Sequence, residues 1–126
     1  PRLIERIVDI DGAEDLFDPE SVGTLPISDE TLALLKSSLE AVVSGARGTA
    51  RGAFQGISYT VAGKTGTAEN ALEEPHAWFS GYAPADVPRV AITVILENAG
   101  EGSQVAAPLF REVLEAYFEW EITQQN

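Results

Sequence analysis

The 126-residue sequence contains neither cysteine nor methionine, and it has a single histidine. Without cysteine the chain can form no disulfide, no thiolate metal site and no cysteine nucleophile. No cluster of the remaining residues has the spacing of metal ligands, so we predict no metal and no other cofactor. Because the chain begins at Pro1 and lacks methionine, we interpret it as part of a longer translation product.

Basic residues are scarce as well. Eight lysines and arginines are outnumbered by twenty aspartates and glutamates, which gives a formal net charge of −12. Nucleic acids bind basic surfaces, so this balance argues against a nucleic-acid partner. A well-solvated surface is the simplest interpretation of the acidity. No run approaches the roughly 18 uncharged apolar residues of a membrane span, so we predict that this chain does not cross a membrane.

The apolar content of 44% is sufficient for a folded core. A first helix is predicted from the N-cap Ser28 to about Ser44, just before Gly45, because leucines and valines follow helical spacing. A closing helix is predicted around Pro108, which suits a first helical turn. One stripe of this helix is apolar, at Leu109, Phe110, Val113, Leu114, Tyr117 and Phe118. Residues 123–126 are polar and are expected to fray.

Between and before the helices the sequence has β character. Residues 3–10 favour a strand, Asp11-Gly12 predicts a turn, and residues 13–26 predict a loop. Three later strands are predicted at residues 57–62, 77–83 and 89–96. The short connection between the last two implies antiparallel neighbours, and the last strand is apolar on both faces and should be covered on both. The order of elements predicts an α+β fold, an antiparallel sheet covered by helices.

One segment carries clear chemical information, Gly63-Lys64-Thr65-Gly66-Thr67, which follows directly on the strand predicted at 57–62. Lys64 supplies a positive charge, and Thr65 and Thr67 supply hydroxyl donors. Gly66 removes a side chain that would obstruct the backbone of a ligand. The pattern predicts a carboxylate-binding strand end, along which a peptide could pair with the main chain.

Other interpretations of this segment are an ordinary exposed strand end and a phosphate-binding loop. The phosphate-binding motif requires a second glycine five positions before Gly63, where this sequence has none, and a helix after the lysine. Strand alternation also places Lys64 and Thr65 on opposite faces, so the two can serve one site only at an exposed edge.

The segment resembles the third signature of the penicillin-recognising serine enzymes, whose set is S-x-x-K, S-x-N and K-T-G. The resemblance continues through Gly48-Thr49-Ala50, residues 62–68, residues 76–84 and Ala106-Ala107-Pro108, in the order seen in class B penicillin-binding proteins. It covers nearly the whole chain. It implies that residues 1–126 are the C-terminal portion of a transpeptidase domain whose first two signatures lie upstream.

This resemblance also implies roles for the motif residues. Lys64 would support proton transfer and attract the substrate electrostatically. The hydroxyls of Thr65 and Thr67, beside Gly66, would hold the terminal carboxylate of a D-Ala-D-Ala stem peptide or of a β-lactam. The backbone N–H of Thr67 would be one oxyanion-hole donor. The implied function is a peptidoglycan D,D-transpeptidase at the extracytoplasmic face of the bacterial cytoplasmic membrane.

The first two signatures are missing from this sequence. The residues three positions before Lys36 and Lys64 are Ala33 and Val61, and none of the eight serines has an asparagine two positions later. Acyl transfer needs a nucleophile and a base, so the chain alone is predicted to be inactive and to require the upstream half of its own protein as a partner. A serine β-lactamase or β-lactam sensor of the same fold, and a non-catalytic peptidoglycan-binding module, are the alternative hypotheses.

Overall fold

A computed structural model describes residues 6–16, 21 and 23–124, which form two helices and two antiparallel sheets. The elements in chain order are β1 (Arg6–Val8), β2 (Glu14–Leu16), α1 (Asp29–Ser44), β3 (Ala62–Ala68), β4 (His76–Ala83), β5 (Val90–Leu96), a π-helical turn (Gly102–Ala106) and α2 (Ala107–Gln124). The larger sheet has the order β3-β4-β5 and is antiparallel throughout. The α+β prediction is confirmed.

Helix α1 begins where the sequence predicts. The Ser28 hydroxyl accepts a hydrogen bond from the backbone N–H of Thr31 at 3.2 Å, which satisfies one free donor of the first turn. Gly45 ends the helix with an extended backbone (φ −65°). A Cβ at this position would lie 2.5 Å from the carbonyl oxygen of Ala41. Glycine is therefore required at the helix end by close approach of the backbone.

The small sheet is a hairpin of β1 and β2. Its turn is fixed by the Asp9 carboxylate, which accepts a hydrogen bond from the backbone N–H of Asp11 at 2.9 Å. The turn predicted at Asp11-Gly12 is confirmed. The loop predicted at 13–26 is wrong where β2 forms. The local turn brings Glu14 and Asp15, which have low strand propensity, into pairing with β1. The predictions also covered residues 3–5, 17–20 and 22, which lie outside the described residues.

Strand β3 begins later than the sequence suggests. The strand predicted at residues 57–62 is wrong for 57–61, which form irregular backbone with a bend at 58–59. Thr60 in this segment donates to the Asp86 carboxylate at 2.6 Å and accepts from the backbone N–H of Ala85 at 2.9 Å. Its polar groups therefore hold the turn between β4 and β5 and take no part in strand pairing. The strands predicted at 77–83 and 89–96 match β4 and β5 to within one residue.

The hydrophobic core lies on one face of the larger sheet. Phe79 of β4 and Phe110 of α2 are fully buried, and their ring centroids are 4.7 Å apart. Phe54, from the turns before β3, packs against both rings. Leu114 is fully buried one turn further along α2. The apolar stripe predicted for the closing helix is thus buried at Phe110 and Leu114, whereas Val113 of the same stripe is exposed.

The opposite face of this sheet is exposed in the part of the chain that the structure describes. Trp78 of β4 is 37% exposed and Ile95 of β5 is 45% exposed, whereas Val94, on the core face, is 9% exposed. Both faces of β5 thus carry apolar residues, as predicted, with Val94 on one and Ile95 on the other. The cover predicted for both of its faces is wrong here, because the described helices shield only one of them.

Helix α2 continues to Gln124, so the fraying predicted for residues 123–126 is wrong at its first two positions. The Thr123 hydroxyl donates to the carbonyl oxygen of Glu119 at 2.9 Å, a bond that is compatible with continued helix. Residues 125 and 126 lie outside the described residues.

Candidate active site

The Lys-Thr-Gly-Thr motif lies within β3, at an edge of the sheet that no other described strand covers. Pairing with β4 sets Lys64 opposite Ser80 and Thr65 opposite Phe79. The prediction that the motif follows the end of a strand is therefore wrong, because the motif itself is paired along its whole length. Lys64 is exposed and Thr65 is half-buried.

Two glycines allow β3 to pass close to the aromatic residues of β4. A Cβ on Gly63 would lie 2.6 Å from Cζ of Phe79, and a Cβ on Gly66 would lie 3.0 Å from Cβ of Trp78. Both distances are shorter than an ordinary carbon–carbon contact. Gly66, predicted to leave space for a ligand, thus also lies in close contact with the neighbouring strand.

The Lys64 ammonium bends back over its own strand. Its Nζ donates to the Thr65 carbonyl oxygen at 2.7 Å and lies 3.4 Å from the Thr65 hydroxyl oxygen. Strand alternation separates these two side chains, but the four-carbon stem of lysine reaches around the edge. The charge and the hydroxyl therefore meet at one place. None of the ion pairs among the described residues involves Lys64.

A second hydroxyl reaches the motif from the turn after α1. Thr49 Oγ1 lies 2.9 Å from Thr65 Oγ1, in a hydrogen bond between residues sixteen positions apart. The backbone N–H of Ala50 donates to the Val42 carbonyl oxygen at 3.0 Å and fixes this turn. Gly48 is needed there because a Cβ would overlap the same carbonyl oxygen. No role for Thr49 is predicted from the sequence, although Gly48-Thr49-Ala50 is part of the resemblance.

The Thr67 hydroxyl lies in a different environment. It donates to Oε2 of Glu101 at 2.9 Å, and the backbone N–H of Gly102 approaches it at 3.4 Å. The motif hydroxyls are thus divided, with Thr65 beside a lysine and Thr67 beside a carboxylate. No role for Glu101 is predicted from the sequence, since 34 positions separate it from Thr67 and the chain path after β5 brings the two together.

The site thus provides one ammonium group, three hydroxyls and an open strand edge, all of which suit the binding of a peptide carboxylate. Within residues 6–16, 21 and 23–124, no group of histidine, aspartate and glutamate could hold a metal ion. No helix of this part of the chain is long and apolar enough to cross a bilayer.

Comparison with known families agrees with this geometry. A family model described as the penicillin binding protein transpeptidase domain matches residues 1–115. The chain belongs to this family. The family and fold implied by the resemblance in the sequence are therefore confirmed.

Individual relatives are named as a peptidoglycan D,D-transpeptidase and as penicillin-binding proteins. Peptidoglycan D,D-transpeptidase MrdA of Haemophilus influenzae is 44% identical over 104 residues, which cover 71% of this chain and 16% of the relative. Among solved structures, Pseudomonas aeruginosa PBP2 in complex with WCK 5153 matches with a TM-score of 0.72 and 38% identity, covering 80% of this chain and 23% of that chain. Penicillin-binding protein A from M. tuberculosis, an imipenem acyl-enzyme complex, matches with a TM-score of 0.75 and 30% identity, covering 94% and 26%. The chain therefore spans only a small part of the proteins it matches.

Proposed function

We propose that this chain supplies the substrate-binding strand of a peptidoglycan D,D-transpeptidase. The observation that carries the proposal is the position of the Thr65 hydroxyl, which lies 2.9 Å from the Thr49 hydroxyl and 3.4 Å from the Lys64 ammonium on a strand edge that no other described strand pairs with. Such an edge can pair with an extended peptide while the charged end binds its carboxylate. The family to which the chain belongs, and the name of the Haemophilus influenzae relative, support the same activity.

In the proposed complex a stem peptide ending in D-Ala-D-Ala lies along β3. Its carboxylate accepts hydrogen bonds from the hydroxyls of Thr65 and Thr67 and is attracted by Lys64. Gly66 leaves room for the peptide backbone. The backbone N–H of Thr67 is one of the donors that stabilise the developing oxyanion. A β-lactam with a carboxylate would occupy the same edge, as is consistent with the imipenem acyl-enzyme of the M. tuberculosis relative.

The nucleophile and its base are proposed to lie in another part of the parent protein, with residues 1–126 as the C-terminal portion of the transpeptidase domain. The upstream half of that domain is the proposed partner of this chain. It would pack on the sheet face that carries Trp78 and Ile95, which the described helices leave exposed. The parent would act where peptidoglycan is cross-linked, at the extracytoplasmic face of the cytoplasmic membrane.

Labelling of the full-length protein with fluorescent penicillin tests the proposal. A long-lived acyl-enzyme is expected, with the label on a serine outside residues 1–126. Rapid turnover of the label would indicate a β-lactamase, and the absence of a label would indicate a non-catalytic binding module. A penicilloyl group on any of the eight serines of this chain would contradict the assignment of the nucleophile.

A further inference from the structure

The Thr67 hydroxyl has one proton, and in this structure it uses that proton to donate a hydrogen bond to the Glu101 carboxylate of its own chain. A hydroxyl can donate one hydrogen bond only, although it can accept two. A ligand carboxylate that accepts a hydrogen bond from the Thr67 hydroxyl must therefore replace Glu101 as its acceptor. In the free protein the Glu101 carboxylate therefore competes with the ligand carboxylate for the Thr67 hydroxyl.

Glu101 is held in this position from both sides. Before it, the backbone N–H groups of Ala99 and Gly100 donate to the Pro75 carbonyl oxygen at 3.0 and 2.9 Å. The backbone N–H of Asn98 donates to Nδ1 of His76 at 3.0 Å, which ties the same segment to the start of β4.

After Glu101 the chain passes so close to the sheet that only glycine fits. A Cβ on Gly102 would overlap the carbonyl oxygens of Gly66 and Trp78. The backbone that carries the carboxylate is thus fixed against β3 and β4, and the Glu101 side chain stays within reach of Thr67.

The charge of Glu101 is not neutralised by a neighbouring cation. The ion pairs among the described residues involve Glu14, Glu121 and Glu115, and Glu101 forms none. Glu101 and Thr67 are both exposed, so water screens the charge in part. A ligand carboxylate at Thr67 would still be a second anion beside the same hydroxyl. The two carboxylates would be near neighbours, and like charges repel.

We propose that Glu101 is a positioning and specificity-determining residue of this site. In the free protein it orients the Thr67 hydroxyl, and its charge weakens the first, non-covalent binding of ligands through their carboxylate. This inference rests on the proposed function, because it assumes that the ligand carboxylate meets Thr67. It predicts an effect on binding and none on the acylation step, since Glu101 touches no reacting atom.

The test compares full-length protein with its Glu101→Gln variant, which keeps the size of the side chain and a hydrogen-bonding partner for Thr67 but removes the charge. Stopped-flow acylation by benzylpenicillin gives the dissociation constant of the initial complex and the rate constant of acylation separately. We expect the dissociation constant to fall by about five- to tenfold, the effect of one partly screened like charge, with the rate constant unchanged. Glu101→Asp, which keeps the charge, should bind more like the parent than Glu101→Gln does.

Two controls isolate the contact with Thr67. Glu97→Gln makes the same change of charge on the same connecting segment and should leave the dissociation constant unchanged. In a Thr67→Val background, Glu101→Gln should lose its effect, because the shared hydroxyl is absent. Unchanged or weaker binding by Glu101→Gln, or an equal gain in either control, would overturn the inference. Normal acylation by Lys64→Ala would instead reject the proposed function, so the two failures are distinguishable.

Discussion

The hydroxyl oxygens of Thr49 and Thr65 lie 2.9 Å apart and join the turn after α1 to the edge strand β3. The position of the Thr65 hydroxyl, which also lies 3.4 Å from the Lys64 ammonium, therefore depends on how α1 packs beside the sheet. Helix α1 therefore contributes to the site through the turn that follows it.

Removing the Thr49 hydroxyl should weaken ligand binding without disrupting the fold. Thr49→Val leaves the Thr65 hydroxyl without its partner, at a cost of about 1 kcal/mol, or roughly fivefold in affinity. The measurement is the dissociation constant of the initial penicillin complex in full-length protein. Thr123→Val, a change of the same kind near the end of α2, is the control and should have no effect. Equal binding by Thr49→Val and the parent would show that this hydrogen bond does not position Thr65.

Lys64→Ala should slow acylation by penicillin by about two orders of magnitude, the scale of losing one electrostatic stabiliser of the transition state. Its effect on the midpoint of thermal unfolding should be small, because Lys64 is exposed and forms no ion pair among the described residues. Lys36→Ala, on α1, is the matched control. A variant that acylates at the parental rate would remove Lys64 from the mechanism.

Thr67→Val should weaken the binding of carboxylate-bearing β-lactams by about tenfold, since valine keeps the β-branch but has no hydroxyl to donate. The free energy of unfolding should change little, because Thr67 and Glu101 are both exposed to water. Titration of parent and variant with the same penicillin measures the difference. Identical affinities would exclude the Thr67 hydroxyl from carboxylate binding.

The sequence predicts helices better than it predicts the strand that carries the site. Helix α1 has a local cap at Ser28 and a local stop at Gly45, so its bounds follow from neighbouring residues. The motif strand has few residues of high strand propensity. It is a strand because β4 pairs with it and because Gly63 leaves space for the Phe79 ring. Such contacts depend on residues far along the chain, so local patterns placed the strand at 57–62.

The motif residues themselves were predicted from the sequence, whereas their partners were not. Lys64, Thr65 and Thr67 stand out by residue type and order. Thr49 and Glu101 have common residue types and no local signal, and they reach the site through the turn after α1 and the chain that follows β5. The fold alone therefore shows that the Thr65 hydroxyl lies beside the Lys64 ammonium whereas the Thr67 hydroxyl lies beside the Glu101 carboxylate.

Gly63→Ala should destabilise the protein, because the added methyl would lie 2.6 Å from Phe79 Cζ and 2.9 Å from the Ser80 carbonyl oxygen. Overpacking of this kind costs about 1–3 kcal/mol of unfolding free energy. Urea denaturation of full-length protein measures it. Gly52→Ala is the matched control, since a Cβ there meets no atom within 4 Å. Equal stability of the two variants would show that β3 can move away from Phe79 at little cost.

The isolated chain should self-associate, or bind the upstream part of its own protein, because the sheet face with Trp78 and Ile95 is uncovered. Sedimentation velocity measures the first outcome, and co-purification with the upstream half measures the second. Ile95→Lys should shift the chain towards monomer. Leu72→Lys, in the loop between β3 and β4 where leucine is already 92% exposed, should not. If the isolated, unsubstituted chain is a monodisperse monomer and does not bind the upstream half, the prediction is contradicted.

The pairing of Trp78 with Gly66 also has an optical consequence. The chain has two tryptophans, and the second, Trp120, is 60% exposed on α2. Indole emission responds to the polarity of its surroundings, so Trp78 is a built-in fluorophore beside the motif. In a protein carrying Trp120→Phe, the tryptophan fluorescence of this chain would come only from the strand next to the site, and its colour and intensity would report what occupies that edge without any added dye.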